Sequence, residues 1–261
     1  MRNLTVVTVS LILLAACGKS STEPEPSAAP VPPPAEVSVT ETAELIPRDT
    51  LFGNPDRTIA RISPDGAHVS WLAPLDGVMN IWVAPADDAE NPKAVTNDTY
   101  RGIRTYFWAP NSEFIYYTQD DGGNENFHVY STSIASGEVV DLTPVKEGAR
   151  ATIEAVSSQR PDHIVVGINE RDPQIFDLYL VDVTTSEREL LMENPGYAAW
   201  VIDNQFQPRF GLQPTPDGGG NIVDMEGELF AVIPPEDFLT TQTVGFNAAN
   251  DALYLLDSRG R

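Results

Sequence analysis

The stretch Ile62-Ser63-Pro64-Asp65-Gly66-Ala67-His68-Val69-Ser70-Trp71-Leu72 places a proline-containing turn before an apolar strand pattern. The same order of turn and strand returns later in the chain, at residues 108–117, 159–167 and 246–255. Proline presets φ at such a turn, and Asp, Asn or Gly completes it. Pro64, Pro110 and Pro161 lie 46 and 51 residues apart. This spacing indicates a repeated unit built from β-strands.

Each repeat contains two further strand patterns. The third strands fall at residues 80–83, 128–131 and 177–181, and the short fourth strands end at 94–96, 140–143 and 189–191. Another unit fits at residues 198–212, although its turn has no proline before residue 208. Four strands in each repeat of 40 to 50 residues are typical of a β-propeller blade.

The alternatives to a propeller explain the repeat less well. No stretch shows sustained helical periodicity. A β-sandwich would not repeat one turn chemistry at one period. We therefore predict an all-β fold, an incomplete β-propeller of four-stranded blades with about four and a half blades in residues 46–261.

The last residues favour a chain that is the front part of a longer protein. Asp251 to Leu256 reads as a buried strand, and Asp257 to Arg261 is a polar turn with no partner strand after it. A sheet edge left in this way exposes unpaired backbone groups. We therefore expect a further domain beyond the propeller.

Composition limits the classes of partner. The chain has 38 Asp and Glu residues against 16 Lys and Arg residues, for a net charge of -22. This excess of acid argues against nucleic acid and against peripheral attraction to anionic lipid. A solvated, soluble surface explains the charge, and a mild preference for cationic peptides or amines stays open as the alternative.

The N-terminus predicts a lipid anchor. A short positive start, Met1-Arg2-Asn3, precedes an apolar run that is too short to span a bilayer. It ends in Leu14-Ala15-Ala16-Cys17, which resembles the lipobox of bacterial lipoproteins. We predict a signal peptide at residues 1–17 with the lipid on Cys17; an ordinary secretion signal is the alternative. The resemblance, with Gly18 after the cysteine, implies the periplasmic face of the outer membrane.

Residues 18–45 are predicted to be a tether. The segment is rich in Pro, Ala and Glu and has few large apolar residues, so it cannot bury enough surface to order itself. Pro32-Pro33-Pro34 favours extended polyproline geometry. Because Cys17 is the single cysteine, no intrachain disulfide is possible.

No metal or cofactor site is predicted. The three histidines, His68, His128 and His163, fall in three repeats without ligand spacing. Asp120 to Asn126 is acidic and Gly-rich but does not match a calcium loop, and it is interpreted as a turn between strands. Thr215 to Gly220 is also interpreted as a turn, because neither a helix nor a lysine follows it.

No catalytic residue is predicted either. No serine stands in a Gly-x-Ser-x-Gly elbow; Ser20 has Gly18 before it but Thr22 after it. Cys17 is predicted to carry the lipid, so its thiol is not a candidate catalytic nucleophile. The aromatic residues at strand positions are interpreted as blade packing: Trp71, Trp82, Trp108, Trp200, Tyr116, Tyr130 and Tyr179.

One peptidase family has similar repeats. Residues 114–120 running into Asn124-Glu125-Asn126 and on to Tyr130 resemble the propeller of the prolyl oligopeptidase family, as do residues 141–144, 168–179 and 253–261. The resemblance covers residue 46 to the end. It implies a propeller of seven or eight blades that admits short peptides to an α/β-hydrolase domain, which this chain lacks. It assigns no role to Glu125.

Two functions follow as hypotheses. The favoured one is the non-catalytic propeller part of an envelope serine peptidase, which gates oligopeptide access and is inactive by itself. The alternative is a stand-alone periplasmic adaptor that binds envelope proteins, like those of the Tol system. The partners are then oligopeptides, through the complete protein, and the membrane, through the anchor. The sequence does not predict an oligomeric state.

Overall fold

The computed structural model describes residues 45–260, so the signal peptide, Cys17 and nearly all of the tether lie outside the described residues. A five-residue helix, α1, at Arg48–Phe52 precedes eighteen strands. Among residues 45–260, no helix is long and apolar enough to cross a membrane.

Four sheets of four strands follow one another, and in each sheet the strands are antiparallel neighbours in chain order. Blade 1 contains β1 (Thr58–Ile62), β2 (His68–Leu75), β3 (Val78–Pro85) and β4 (Lys93–Ala94). Blade 2 contains β5 (Tyr106–Trp108), β6 (Phe114–Gln119), β7 (His128–Ser133) and β8 (Val139–Asp141). Blade 3 contains β9 (Ala151–Val156), β10 (His163–Asp172), β11 (Ile175–Asp182) and β12 (Arg188–Met192).

Blade 4 contains β13 (Ala199–Ile202), β14 (Pro208–Pro214), β15 (Gly220–Asp224) and β16 (Leu229–Ile233). A 3₁₀ turn at Pro235–Asp237 leads to a two-stranded sheet of β17 (Gln242–Phe246) and β18 (Leu253–Leu256). Within the described residues, no strand of a later sheet joins an earlier one. The predicted all-β fold of four and a half sequential blades is confirmed.

The prediction that the last strand is buried is wrong. β18 forms as expected, but Tyr254 and Leu256 are 58% and 54% exposed. Successive side chains of a strand point to opposite faces. One face of the two-stranded sheet has no neighbouring sheet within the described residues, so these two side chains stay in solvent.

The core is formed where the face of one blade meets the next. Blades 1 and 2 bury one apolar cluster, which includes Leu72, Ile81 and Ile115. Blades 2 and 3 bury another, which includes Tyr116, Val129 and Ile164. Each such side chain contributes roughly 1.5–3 kcal/mol when fully buried.

The aromatic residues pack as predicted, though to different depths. Trp71, Trp108 and Tyr116 are buried. The others are partly buried against the apolar clusters: Trp82, Trp200, Tyr130 and Tyr179.

The proline-containing turns join the first and second strands of blades 1 and 2, as predicted. In blade 1, Ser63 Oγ donates to Asp65 Oδ1 over 2.6 Å, and Gly66 closes the turn at φ +73°. This hydroxyl contact, with the Ala67 N–H, lowers the pKa of Asp65. Ser112 occupies the position of Gly66 in blade 2, at φ +61°. We call this side of the molecule the turn face.

Equivalent turns of neighbouring blades are hydrogen-bonded to each other at three junctions. The Asp65 N–H donates to Ser112 Oγ over 3.1 Å, 47 residues away. Ser157 Oγ donates to the Asn204 carbonyl over 2.8 Å, also 47 residues away. The Asn204 N–H in turn donates to Asn250 Oδ1 over 3.0 Å. These bonds join blade 1 to 2, blade 3 to 4 and blade 4 to the last sheet.

Ser70 links blades 1 and 2 below this face. The side chain is fully buried in β2 and lies 2.8 Å from Tyr106 Oη of β5. Trp108 Nε1 donates to the same serine oxygen over 2.9 Å. Tyr106 Oη donates to the Ile59 carbonyl over 2.8 Å. The hydroxyl of Ser70 is therefore the hydrogen-bond partner of two polar groups in blade 2, the hydroxyl of Tyr106 and the indole N–H of Trp108.

Ser70→Ala removes the acceptor of the Trp108 indole. An unsatisfied buried donor costs about 1–3 kcal/mol, which for a chain of this size lowers Tm by roughly 2–10 °C. Thermal unfolding followed by circular dichroism measures the shift. Ser158→Ala, at an exposed serine of the β9–β10 turn, is the control and should leave Tm unchanged. An unchanged Tm for Ser70→Ala would contradict the role of this link.

Candidate functional site

The opposite side of the molecule carries the connections from one blade to the next, and we call it the loop face. Here the second strand of each blade joins the third, and the fourth strand leads to the next blade. A polar residue stands near the start of the third strand in blades 1 to 3, directly before a buried aliphatic residue: Asn80, His128 and Asp177. Each of them holds the end of the fourth strand or the segment after it.

Asn80 is fully buried and organises the connection from blade 1 to blade 2. Its Oδ1 accepts bonds from Thr96 Oγ1 (2.9 Å) and from the Asp98 N–H (2.7 Å). Its amide donates to the Asp98 carbonyl over 2.9 Å. Asp98 in turn accepts a bond from Gln119 Nε2 of blade 2 over 2.9 Å.

His128 has the corresponding role in blade 2. Its Nδ1 lies 2.7 Å from Asp141 Oδ2 at the end of β8. The other Asp141 oxygen accepts the Thr143 N–H over 2.8 Å, and Thr143 Oγ1 accepts the Val129 N–H over 2.8 Å. These bonds connect the third strand of blade 2 to the end of its fourth strand. Asp141 is therefore a structural partner of His128.

Asp177 is the centre of the network in blade 3. Arg171 donates to both of its oxygens, over 2.8 and 2.6 Å, and also donates to the Asn194 carbonyl over 3.1 Å. The Asn194 N–H donates to Asp177 Oδ1 over 2.7 Å. Burial by itself would raise the pKa of Asp177, but the bonds from Arg171 and from the Asn194 N–H outweigh it and lower the pKa.

Because the folded-state pKa of Asp177 is lowered, its contribution to stability is present above the unfolded value, about 3.9, and is lost as pH falls through the folded value. Asp177→Asn should cost about 1–3 kcal/mol at pH 6, since the buried site then holds mismatched hydrogen bonds. The difference from the wild type should shrink towards pH 3. Urea unfolding at both pH values measures it.

Asp87→Asn, at an exposed aspartate, is the matched control and should cost little at either pH. A difference between Asp177→Asn and the wild type that stays constant from pH 6 to pH 3 would contradict an ionised, hydrogen-bonded Asp177.

The acidic loop between β6 and β7 is a self-contained turn, as predicted. Asp120 Oδ2 accepts the Glu125 N–H over 3.0 Å, and Asn124 Oδ1 accepts the Asn126 N–H over 2.9 Å. Thr215 to Gly220 is likewise a turn, closed by a 2.6 Å bond from Thr215 Oγ1 to Asp217. Between residues 45 and 260, no group of three His, Cys, Asp or Glu residues is placed to hold a metal ion.

A cleft of 710 Å³ lies on the turn face between blades 1 and 2. His68, Ser112 and Glu113 are on its walls with several aliphatic residues. His68 stacks on Trp108 with ring centres 6.1 Å apart. Lys93 Nζ already donates to the Ile134 carbonyl over 2.8 Å. Among the described residues no hydrogen bond joins His68 to Ser112 or Glu113, so the cleft contains no assembled nucleophile and base.

The three histidines lie in three different blades, as predicted, since His163 begins β10 of blade 3. Cys17, the one residue for which a covalent role is predicted, lies outside the described residues. The polar networks of the loop face were not predicted. The signal for them is in the sequence, as the polar residue that repeats before Ile81, Val129 and Leu178.

The chain matches two curated proteins named as dipeptidyl peptidases. It is 43% identical over 223 residues to dipeptidyl aminopeptidase BIII of Pseudoxanthomonas mexicana, which covers 84% of this chain and 32% of the relative. It is 25% identical over 194 residues to dipeptidyl peptidase family member 6 of Caenorhabditis elegans, covering 69% and 25%. The chain is therefore similar to part of these two dipeptidyl peptidases. The resemblance to the prolyl oligopeptidase family is thereby confirmed.

The match is to part of each relative. The chain spans about a third of the length of the bacterial relative and a quarter of the nematode one. Among solved structures, the β-propeller domain of the trilobed protease of Pyrococcus furiosus aligns with a TM-score of 0.47 at 18% identity, over 72% of this chain and 60% of that one. No family model matches the chain.

Proposed function

We propose that this chain is the propeller part of a serine peptidase that cleaves oligopeptides, and that it controls which peptides reach a catalytic domain elsewhere in the complete protein. The observation that carries the proposal is the 43% identity, over 223 residues, to a protein named dipeptidyl aminopeptidase. The name describes an enzyme that removes dipeptides from the amino end of a peptide, and the matched region is only 32% of it.

The chemistry of the described residues agrees with a non-catalytic role. Nucleophilic catalysis needs an exposed nucleophile within hydrogen-bond reach of a base. His128 is paired with Asp141 inside its blade, and His163 Nε2 lies 3.9 Å from Asp182 of the same blade. Selection of peptides then falls to the loop face and to the seams between blades, where open pockets occur.

A fluorophosphonate probe, which labels activated serines, tests whether the catalytic serine lies outside this chain. The purified chain should show no labelling and no turnover of dipeptidyl substrates. The complete gene product should be labelled at one serine outside these 261 residues. The heat-denatured complete protein is the control and should not react.

Stoichiometric labelling of any serine between residues 45 and 261 would refute the proposal. A complete gene product without a reactive serine would instead favour the periplasmic adaptor that binds envelope proteins.

We also propose that the protein is anchored by lipid on Cys17 and faces the periplasm from the outer membrane. The support is the apolar run ending in Leu14-Ala15-Ala16-Cys17. Two or three acyl chains on one residue make a stable anchor, whereas a single chain gives marginal binding.

Cys17→Ser should remove the acylated residue and leave the protein unprocessed or in the soluble periplasmic fraction. Fractionation of bacterial cells after labelling with a radioactive fatty acid measures both effects. Ser20→Ala, three residues further on, is the matched control and should remain labelled and membrane-bound. Wild-type protein that never incorporates the fatty acid would contradict the anchor.

A further inference from the structure

A pocket of 330 Å³ opens on the loop face where blade 3 meets blade 4. Glu154 and three aromatic side chains, Phe176, Tyr197 and Trp200, line it together with smaller polar residues. Apart from Asn194, its residues take no part in the polar networks described above. The combination of one carboxylate with several aromatic rings determines which ligand chemistry suits the pocket.

Tyr197 and Trp200 form a corner. Their ring centres lie 5.1 Å apart and their planes meet at 89°. The face of an aromatic ring carries negative potential, which attracts a cation, and Trp is the strongest of the three aromatic residues in this respect. The edge of one ring covers one face of the other in this arrangement, so the faces that remain open to the pocket are the attractive surfaces for a cation.

Glu154 supplies a full negative charge beside these rings. Its Oε1 accepts a 2.6 Å hydrogen bond from Thr152 Oγ1, which fixes the carboxylate. No other residue between 45 and 260 donates a hydrogen bond to its Oε2. The second oxygen is therefore available to a ligand that donates N–H groups.

Two glycines make room for the walls of the pocket. A Cβ at Gly167 would lie 2.8 Å from Glu154 Oε1, and a Cβ at Gly211 would lie 2.4 Å from the ring of Tyr197. Because neither glycine has a positive φ, close approach and not turn geometry explains them. Glu154 and Tyr197 lie directly against the backbone of the second strands of their blades.

The loop that carries Tyr197 is fixed from below. Asn194 Oδ1 accepts the N–H groups of Gly196 (2.9 Å) and Tyr197 (2.7 Å), and Asn194 Nδ2 donates to the Tyr197 carbonyl over 2.9 Å. Asn194 is in turn held by Asp177. The ring is therefore in position before a ligand arrives, which lowers the entropy cost of binding.

The chain already holds one of its own cations at the edge of this pocket. The guanidinium carbon of Arg150 lies 5.3 Å from the centre of the Phe176 ring. This contact places a competing positive charge on Phe176. The binding surface for a ligand is therefore the corner of Tyr197 and Trp200 together with Glu154.

We propose that this pocket binds the cationic side chain of a lysine or arginine residue in a peptide. The methylene groups of such a side chain pack on the rings, while its charged end reaches Glu154. An α-ammonium has no methylene chain to pack along the rings, so it would gain only the contact with the charge of Glu154. The inference rests on the proposed function for the peptide ligand, but binding does not require catalysis.

Titration of the purified chain with Nα-acetyl-lysine methylamide tests the proposal through the fluorescence of Trp200, one of four tryptophans. Trp200→Phe identifies its part of the signal. Binding should saturate and should be about tenfold tighter than that of the neutral analogue Nα-acetyl-norleucine methylamide. Glu154→Gln, which keeps the shape of the side chain, should lose this tenfold preference, and exposed Glu138→Gln should retain it.

Equal affinity for the lysine and norleucine probes would overturn the proposal, as would an unchanged preference in Glu154→Gln. Alanine methylamide, which carries only an α-ammonium, should bind weakly, and equal affinity for it would also refute a side-chain site. Gly211→Ala, whose Tm shows whether it folds, should displace Tyr197 and weaken the lysine probe. A failed fluorophosphonate test removes the peptidase proposal but leaves these binding results standing.

Discussion

The fold depends on the contact between the face of one blade and the next. A four-stranded antiparallel sheet is stable only when its apolar side chains are covered, and here each inner blade is covered by a blade on either side. Apolar burial supplies most of the free energy but has no preferred direction. The hydrogen bonds between equivalent turns, such as Asp65 to Ser112, are directional. They set the position of one blade on the next at the three junctions where they occur.

The same arrangement explains why the two faces of the molecule differ. On the turn face, hydrogen bonds between neighbouring blades occupy the turns that join first and second strands. On the loop face, a polar residue on the third strand of blades 1 to 3 holds the end of the fourth strand or the segment that leads to the next blade. Asp177 holds Asn194, and Asn194 holds Tyr197, so the buried Asp177, which is paired with the exposed Arg171, shapes a pocket at the border with blade 4. The polar network of blade 3 therefore extends to the wall of the proposed binding pocket.

Much of the fold could be predicted because turn chemistry is local. Pro64 and Pro110 mark their turns in the sequence, and the strand order follows from the repeat. The turn of blade 4 has no such mark: Asn204 stands at the position of the proline, and Phe206 occupies the left-handed position, at φ +64°, where blade 1 has a glycine. The backbone strain is offset by complete burial of the phenylalanine ring, which depends on tertiary packing.

The candidate pocket was less predictable. Glu154, Tyr197 and Gly211 are far apart in the sequence, and no motif joins them. The exposure of Tyr254 also depends on what lies beside the last sheet, which local alternation does not reveal. Sequence patterns therefore predict the repeated unit. The surfaces between units depend on how the blades pack, which local sequence patterns do not show.

The central claim, that hydrogen bonds between equivalent turns orient one blade on the next at three junctions, is tested most directly by amide hydrogen exchange. The Asp65 N–H donates to Ser112 Oγ, 47 residues away in the next blade. Exchange rates measured by NMR should show a protected Asp65 amide that loses protection in Ser112→Ala, while the Gly66 amide, bonded within its own turn to the Ser63 carbonyl, remains protected. An Asp65 amide that exchanges at the same rate in both proteins would contradict the account.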